Sequence, residues 1–356
     1  MAALELDELL LVPAGIPPHK ALPANVPAAE HRLAMVRLAA DGIGARASDI
    51  ELRREGRSYT LDTLRAIHER EPEARLWLLM GTDMFLTFQN WREPGEILRL
   101  AGLCAFGRSA DDGEALFAPQ RDCLVLPDLV DISSTQLRAM LAQGEGQRYL
   151  APAVYGYILR EGLYGTRADV RHLSLEQLRP VALSYLRAKR VPHVLGTEEE
   201  AARLAGRWGA DVDLARRAAL LHDCTKRLSP TDHRAIAERY HALPLPAEDK
   251  LYHAITGAIL AREVFGEQEE VVSAIRWHTT GRADMSLLEK IIYLADYIEP
   301  TRDFPGLEAL RRLAYEDLDR ALLTGLEMSL ENLRERGIVP DRDSVCARDH
   351  LKGKLP

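Results

Sequence analysis

"AALLHDCTK" (218–226) runs from an apolar helical stretch straight into a His–Asp pair, His222 and Asp223. Two strongly polar side chains at the end of such a stretch cost free energy if buried, unless each is paired or bound to something. The chain around them repeats the theme, with His193 in "RVPHVLG", His253 in "LYHAITG", His278 in "IRWHTTG" and Asp296 in "IIYLADYIEP". Ile291, Ile292, Leu294, Ala295 and Ile298 surround Asp296, so its carboxylate is expected to point into a core and to need a cation or a hydrogen-bond network. A single histidine on an apolar helix face is ordinarily a hydrogen-bonded core residue, and His31, His68, His172, His233, His241 and His350 are read that way. Five positions spread through one helical stretch, an adjacent His–Asp pair among them, read instead as a mixed nitrogen and oxygen site. Such a site suits Fe, Mn, Co or Zn rather than Ca.

Outward from that stretch, the chain has two textures. From about Leu173 nearly every segment has helical spacing, broken by short Gly or Pro joints, which predicts an all-α domain over 173–356. Residues 1–165 alternate short apolar runs with helical patterns. "DELLLVPAG" (7–15), "ARLWLLMGTD" (74–83), "GLCAFGRS" (102–109) and "CLVLPDL" (123–129) read as strands. "EHRLAMVRLAAD" (30–41), "YTLDTLRAIHER" (59–70) and "PGEILRLAG" (94–102) read as helices. That rhythm predicts a doubly wound α/β sheet, with a linker at Thr166–His172.

Two domains suit the length of 356 residues, and 28% charged residues suit a globular protein. A net charge of −8 argues against a general binder of nucleic acid or anionic membranes. The four cysteines are Cys104, Cys123, Cys224 and Cys346, scattered without a CxxC pair, as reduced thiols in a cytoplasm would be. No signal peptide and no membrane-spanning apolar run is read. A homodimer is left open.

The order His193 … His222–Asp223 … Asp296 resembles the HD superfamily of metal-dependent phosphohydrolases. More narrowly, "RVPHVLGTEEEAARLA", "AALLHDCTK", "HAITGA", "WHTTGR" and "YLADYIEPTRDFPG" are similar to bacterial YqeK-type symmetrical diadenosine tetraphosphate hydrolases, over about residues 173–350. The resemblance implies hydrolysis to two ADP, with His193, His222, Asp223 and Asp296 holding iron or another divalent transition metal. It implies that His253 and His278 face the phosphates or a second metal, with Lys226 as a further catalytic group. It also implies that Arg190, Asp223, Cys224, Thr225, Lys226, His253, His278, Thr279 and Arg302 line the nucleotide. In "GIVPDRDSVCARDH", Val339 stands where that family tends to carry His. The alternative is a nucleotide-binding HD module without catalysis.

"VPAGIPPHK" (12–20), "SYTLDTL" (58–64), "GTDMFLTFQNW" (81–91) and "DISSTQLRAML" (131–141) resemble bacterial nicotinate mononucleotide adenylyltransferases. This implies ATP with Mg in the first half, adenylyl transfer in NAD biosynthesis, and a bifunctional fusion. Lys20, Thr60, Asp83, Trp91, Ser133, Ser134, Thr135 and Arg138 are the implied substrate-binding residues. Ser133 with Gln136 also forms a capping-box pattern, and a capped helix start binds phosphate well. The family's first strand, Gly-rich turn and HxGH-type pair precede these motifs, and this chain starts just after them. The expectation is a reading frame that starts upstream, an incomplete sheet with two unpaired interior edges, and no transferase activity from the chain as given.

Overall fold

The computed structural model describes residues 4–17, 26–106, 123–126 and 132–355. The chain divides into two compact units, Met1–Leu150 with Tyr164–Thr166, and Ala151–Leu163 with Arg167–Pro356.

The first unit contains, in order, β1 (Leu10–Leu11), α1 (Ala29–Ile43), β2 (Arg46–Ala47), α2 (Thr60–Arg70), β3 (Leu76–Gly81), α3 (Thr82–Leu86), α4 (Pro94–Leu100), β4 (Ala101–Phe106), β5 (Cys123–Leu126) and α5 (Ser134–Ala142). The apolar run "LWLLMG" becomes β3 because a parallel strand is covered on both faces. It pairs in parallel with β4, from Leu76 opposite Ala101 to Gly81 opposite Phe106, and β4 pairs in parallel with β5. Leu61, Leu64, Met80, Phe88, Ile97, Ala101 and Leu103 form the core beneath this sheet.

Two sequence readings change. The strand expected over 7–15 contracts to Leu10–Leu11, and its partner Arg46–Ala47 is too short to show any alternation. The helix read over 94–102 stops at Leu100, where Ala101 turns extended and starts β4. The strands fall into two sheets, β1-β2 and β3-β4-β5.

The second unit is helical throughout its described residues: α6 (Pro152–Arg160), α7 (Leu175–Leu183), α8 (Val191–Trp208), α9 (Val212–Leu221), α10 (Pro230–Arg239), α11 (Tyr252–Glu263), α12 (Glu269–Trp277), α13 (Leu287–Ile298), α14 (Leu307–Glu316), α15 (Leu318–Glu335) and α16 (Arg342–Lys354). Its core is continuous, and the small buried residues Ala215, Ala218 and Ala219 let α9 lie close to its neighbours. The helix α6, read from sequence within residues 1–165, packs here instead. Gly156 explains how: a Cβ on it would lie 1.8 Å from the Pro180 carbonyl oxygen, so the α6 backbone rests directly on α7. Arg171 in the expected linker donates to the Glu263 carbonyl at 2.8 Å, tying that segment to the same unit. No described helix is long and apolar enough to cross a membrane.

Candidate metal centre

Five segments converge on one buried cluster. His193 comes from the first turn of α8, His222 and Asp223 from the end of α9, His253 from the start of α11, His278 from the end of α12 and Asp296 from the last turn of α13. Their ligand atoms form three overlapping groups, each spanning no more than 4.8 Å: His193–His222–Asp223, His222–His278–Asp296 and Asp223–His253–His278.

Three of the four imidazoles are oriented by the same device. His222 Nδ1 faces the Ala219 carbonyl at 2.6 Å, His253 Nδ1 the Lys250 carbonyl at 2.7 Å and His278 Nδ1 the Ile275 carbonyl at 2.7 Å. Each carbonyl lies three residues upstream. At the ends of α9 and α12 it is one of those a helix terminus leaves short of an amide partner. A carbonyl can only accept, so each Nδ1 carries the proton and each Nε2 presents a lone pair to the centre. Burial, ahead of the neighbouring charges, pushes His222 down, pushes His253 far down and pushes His278 down to about 4, so these rings are neutral at pH 7.

The centre is therefore rich in lone pairs. His253 and His278 Nε2 lie 3.2 Å apart, and His193 and His222 Nε2 lie 3.3 Å apart. The first pair has no proton to share. Asp223 Oδ1 is buried and accepts no hydrogen bond, although His253 Nε2 comes within 3.3 Å and Lys226 Nζ within 3.4 Å. Asp223 Oδ2 is bound by Arg190 and lies 3.6 Å from His222 and 3.8 Å from His193. Asp296 Oδ1 lies 3.1 Å from His193 Nε2 and 2.7 Å from Arg302. Burial alone would raise both carboxylates. The charges around Asp223, and for Asp296 the contact with His193 followed by His222 and Arg302, outweigh it and hold both far below the ordinary range. Two ionised carboxylates and converging neutral imidazoles, one oxygen of them orphaned, are the donor set of a divalent transition cation.

Basic side chains frame the cluster. Lys226, half-exposed, reaches His253 Nε2 at 2.9 Å, while Arg190 and Arg302 each grip a carboxylate. Arg190 Nε and Thr279 Oγ1 are buried without a partner. Cys224 and Thr225 belong to the same segment but turn away. Cys224 lies in the hydrophobic core, and Thr225 donates to the His253 carbonyl at 3.0 Å. The sequence reading of both side chains as nucleotide-facing does not match this packing, because Asp223 takes the inward direction and the next two residues rotate past it. His233, set aside from sequence, is buried against Thr256 at 2.8 Å. Glu299 was missed altogether. It is fully buried and meets His193 Nδ1 at 2.9 Å. Its position three residues after Asp296, just past an apolar helix, was the available signal.

The α/β unit gathers no comparable cluster among its described residues. Ser133 and Gln136 form the expected capping box at α5. Ser134 and Thr135 are exposed, and Thr60 starts α2. Arg138 lies 5.9 Å over the Tyr164 ring, and Trp91 packs at 5.5 Å on Phe88. Lys20 and the side chain of Asp83 lie outside the described residues.

An all-helical unit with a buried His/Asp centre, following an α/β unit of parallel strands in the sequence, defines the class. Residues 190–301 match the HD domain family and residues 1–140 the cytidylyltransferase-like family. The chain is 41% identical over 176 residues to the symmetrical bis(5'-nucleosyl)-tetraphosphatase of Halalkalibacterium halodurans, covering 48% of this chain and 92% of that protein. It is 40% identical over 154 residues to the protein of the same name from Bacillus subtilis, covering 42% and 83%. It is 36% identical over 178 residues to a probable nicotinate-nucleotide adenylyltransferase of H. halodurans, covering 49% and 84%. A solved HD superfamily hydrolase from Clostridium acetobutylicum matches 51% of this chain and 99% of its own, at 38% identity and a TM-score of 0.49. The chain belongs to the symmetrical bis(5'-nucleosyl)-tetraphosphatase family through its HD domain and to the nicotinate-nucleotide adenylyltransferase family through its α/β half.

Proposed function

We propose that the helical unit hydrolyses diadenosine tetraphosphate symmetrically to two ADP. The observation that carries this reading is the cluster itself, lone pairs converging on a cation-sized space with Arg190, Lys226 and Arg302 around it. His193, His222, Asp223 and Asp296 would hold the metal, for which iron is our proposal. A divalent transition metal bound there supplies Lewis acidity and hydroxide at neutral pH. The chain's own residues do the rest. Arg302 donates to the Asp296 carbonyl at 3.0 Å as well as to its carboxylate, which fixes the guanidinium at the rim. Arg190, Arg302, Lys226 and Thr279 bind the phosphates and offset charge as it develops on the leaving oxygens. His253 Nε2, unprotonated at neutral pH and reached by Lys226 at 2.9 Å, turns with His278 beside it toward the phosphates and holds the Lys226 ammonium there. Water adds to phosphorus, the bridging P–O bond breaks, and the ADP released takes a proton.

The test is product analysis. Chromatography of a diadenosine tetraphosphate digest is expected to show ADP alone, and AMP with ATP rejects the symmetrical cut. Binding without turnover leaves only a nucleotide-binding module. Metal analysis of the purified protein is expected to find iron.

A second reading, adenylyl transfer from ATP with Mg to nicotinate mononucleotide, is favoured by the likeness of the α/β half to that family. Pyrophosphate release by the 356-residue chain tests it, and none confines catalysis to the helical unit. We place the action of both units in the cytoplasm, where Cys224 and Cys346 stay as free thiols.

A further inference from the structure

Three imidazoles of the centre are pinned by peptide carbonyls, and His193 is not. Its Nδ1 meets the carboxylate of Glu299, Oε1 at 2.9 Å. Glu299 has no exposed surface and is itself held in place. Thr301 donates to it twice, through N at 2.6 Å and Oγ1 at 2.5 Å, and Arg302 Nε stands 3.6 Å away. Arg311 donates to the Ile298 and Glu299 carbonyls, both at 2.8 Å, and so fixes the turn that carries it.

Room for this carboxylate has been left on α8. Gly196 lies three residues after His193, on the same helix face, and a Cβ there would fall 2.7 Å from Glu299 Oε2. A carboxylate on Nδ1 fixes the tautomer as a carbonyl does. It also makes the opposite nitrogen a stronger donor, which a neutral carbonyl does to a lesser degree.

We propose that Glu299 is a positioning residue that acts through His193 and sets how tightly the His193 side of the pocket holds a divalent cation, with Gly196 as the gap that admits it. This rests on the metal-centre reading above. The test uses the metal-free full chain titrated with Co2+, followed by its visible absorption, with far-UV circular dichroism to check folding. Glu299→Gln is expected to weaken Co2+ binding about 10- to 100-fold. Gly196→Ala, which keeps the carboxylate but displaces it, is expected to weaken binding in the same direction. This second variant decides the matter if Glu299→Gln does not fold. In a His193→Ala background, Glu299→Gln is expected to cause no further loss, because its route to the metal is already gone. Unchanged affinity in both single variants, with Co2+ bound normally by the parent, overturns the role of Glu299 and leaves the metal centre standing. An equal loss with and without His193 shows that Glu299 acts by another route and overturns it too. A parent chain that binds no Co2+ overturns both.

Discussion

The HD pocket and the start of α5 are both polar sites presented by helix ends, and they differ in how their hydrogen bonds close. At α5 the account is complete within four residues: Ser133 Oγ accepts from the Gln136 amide at 3.2 Å and Gln136 Oε1 accepts from the Ser133 amide at 2.8 Å. In the pocket, carbonyls absorb the outer nitrogens of three imidazoles and leave the inner ones facing each other. Buried polar groups are normally paired, so an arrangement left incomplete at its centre points to a missing electrophile. The lesson is that a motif with no unmet demand says little about ligands, while a cluster with unmet demand says a great deal.

The sharpest way to break that contrast is to delete one ligand on the demanding side. His222→Ala and Asp296→Ala are each expected to lose the metal and lower hydrolysis by about 10³-fold or more, several kcal/mol of charge stabilisation. Chelation of the unaltered protein should do the same, reversibly. Arg138→Ala, in the other unit, should leave hydrolysis unchanged. Metal content and turnover measured together on all three variants check this, and retention of metal by either ligand variant removes that residue from the centre.

A second consequence concerns pH. In the metal-free protein His278 is held at about 4 by burial, against about 6.5 when unfolded, and His222 and His253 are depressed in the same direction. Between those values the unfolded chain binds protons that the native chain refuses, so stability present above pH 6.5 falls as pH drops toward 4. His278 alone corresponds to about 3 kcal/mol across that window. Asp223 and Asp296, also held low, act in the same direction but weaken the fold only at still lower pH, below the ordinary carboxylate range. Urea midpoints of the metal-free chain at pH 7.5, 6 and 5 are expected to decline in that order, and a flat series contradicts neutral buried imidazoles.

The same contrast governs what could be read from sequence. His193, His222, Asp223, His253, His278 and Asp296 were legible because a polar residue inside an apolar helical run is locally anomalous. Glu299 was not, since a Glu after a helix reads as a solvated end until Gly196 is seen beneath it. Nor was it visible that Cys224 and Thr225 turn away from the cluster, because which residue of a turn faces a cavity depends on the neighbouring helices. In the α/β unit β3, β4 and β5 were legible as apolar runs. The strand expected over 7–15 is longer than β1 at Leu10–Leu11, and the two-residue β2 carries too little periodicity to read. Membership of α6 follows from tertiary packing, with Leu159 in the helical core and Gly156 against Pro180.

A middle-sized effect is expected at Thr225. Its hydroxyl donates to the His253 carbonyl, receives Thr256 Oγ1 at 3.0 Å, and through Thr256 reaches His233. Thr225→Val keeps the shape and leaves that buried carbonyl short of a donor, at about 1–3 kcal/mol. Because α11 carries His253, a loss of turnover of roughly tenfold or less should accompany it, with metal retained. Loss of the metal as well would mean that Thr225 supports the ligands themselves.

The smallest effect sharpens the contrast most directly, because the same device occurs in both units. Ser286 caps α13 as Ser133 caps α5: Ser286 Oγ accepts from the Glu289 amide at 3.2 Å and its own amide donates to Glu289 at 2.7 Å. Replacing either serine by alanine costs about 1 kcal/mol. The consequences should differ. The helix α13 carries Asp296, and its residues Ile291, Ile292 and Leu294 are fully buried in the main core, so Ser286→Ala should lower the stability of the whole helical unit. Within α5 only Leu141 is buried, so Ser133→Ala should act locally. Hydrogen exchange is expected to quicken about fivefold in residues 134–142, as 1 kcal/mol implies, with the helical unit and its hydrolysis untouched. If Ser133→Ala instead abolishes ATP binding while exchange in α5 stays as it was, the hydroxyl serves a ligand rather than the helix, and the start of α5 has a demand that its own hydrogen bonds do not meet.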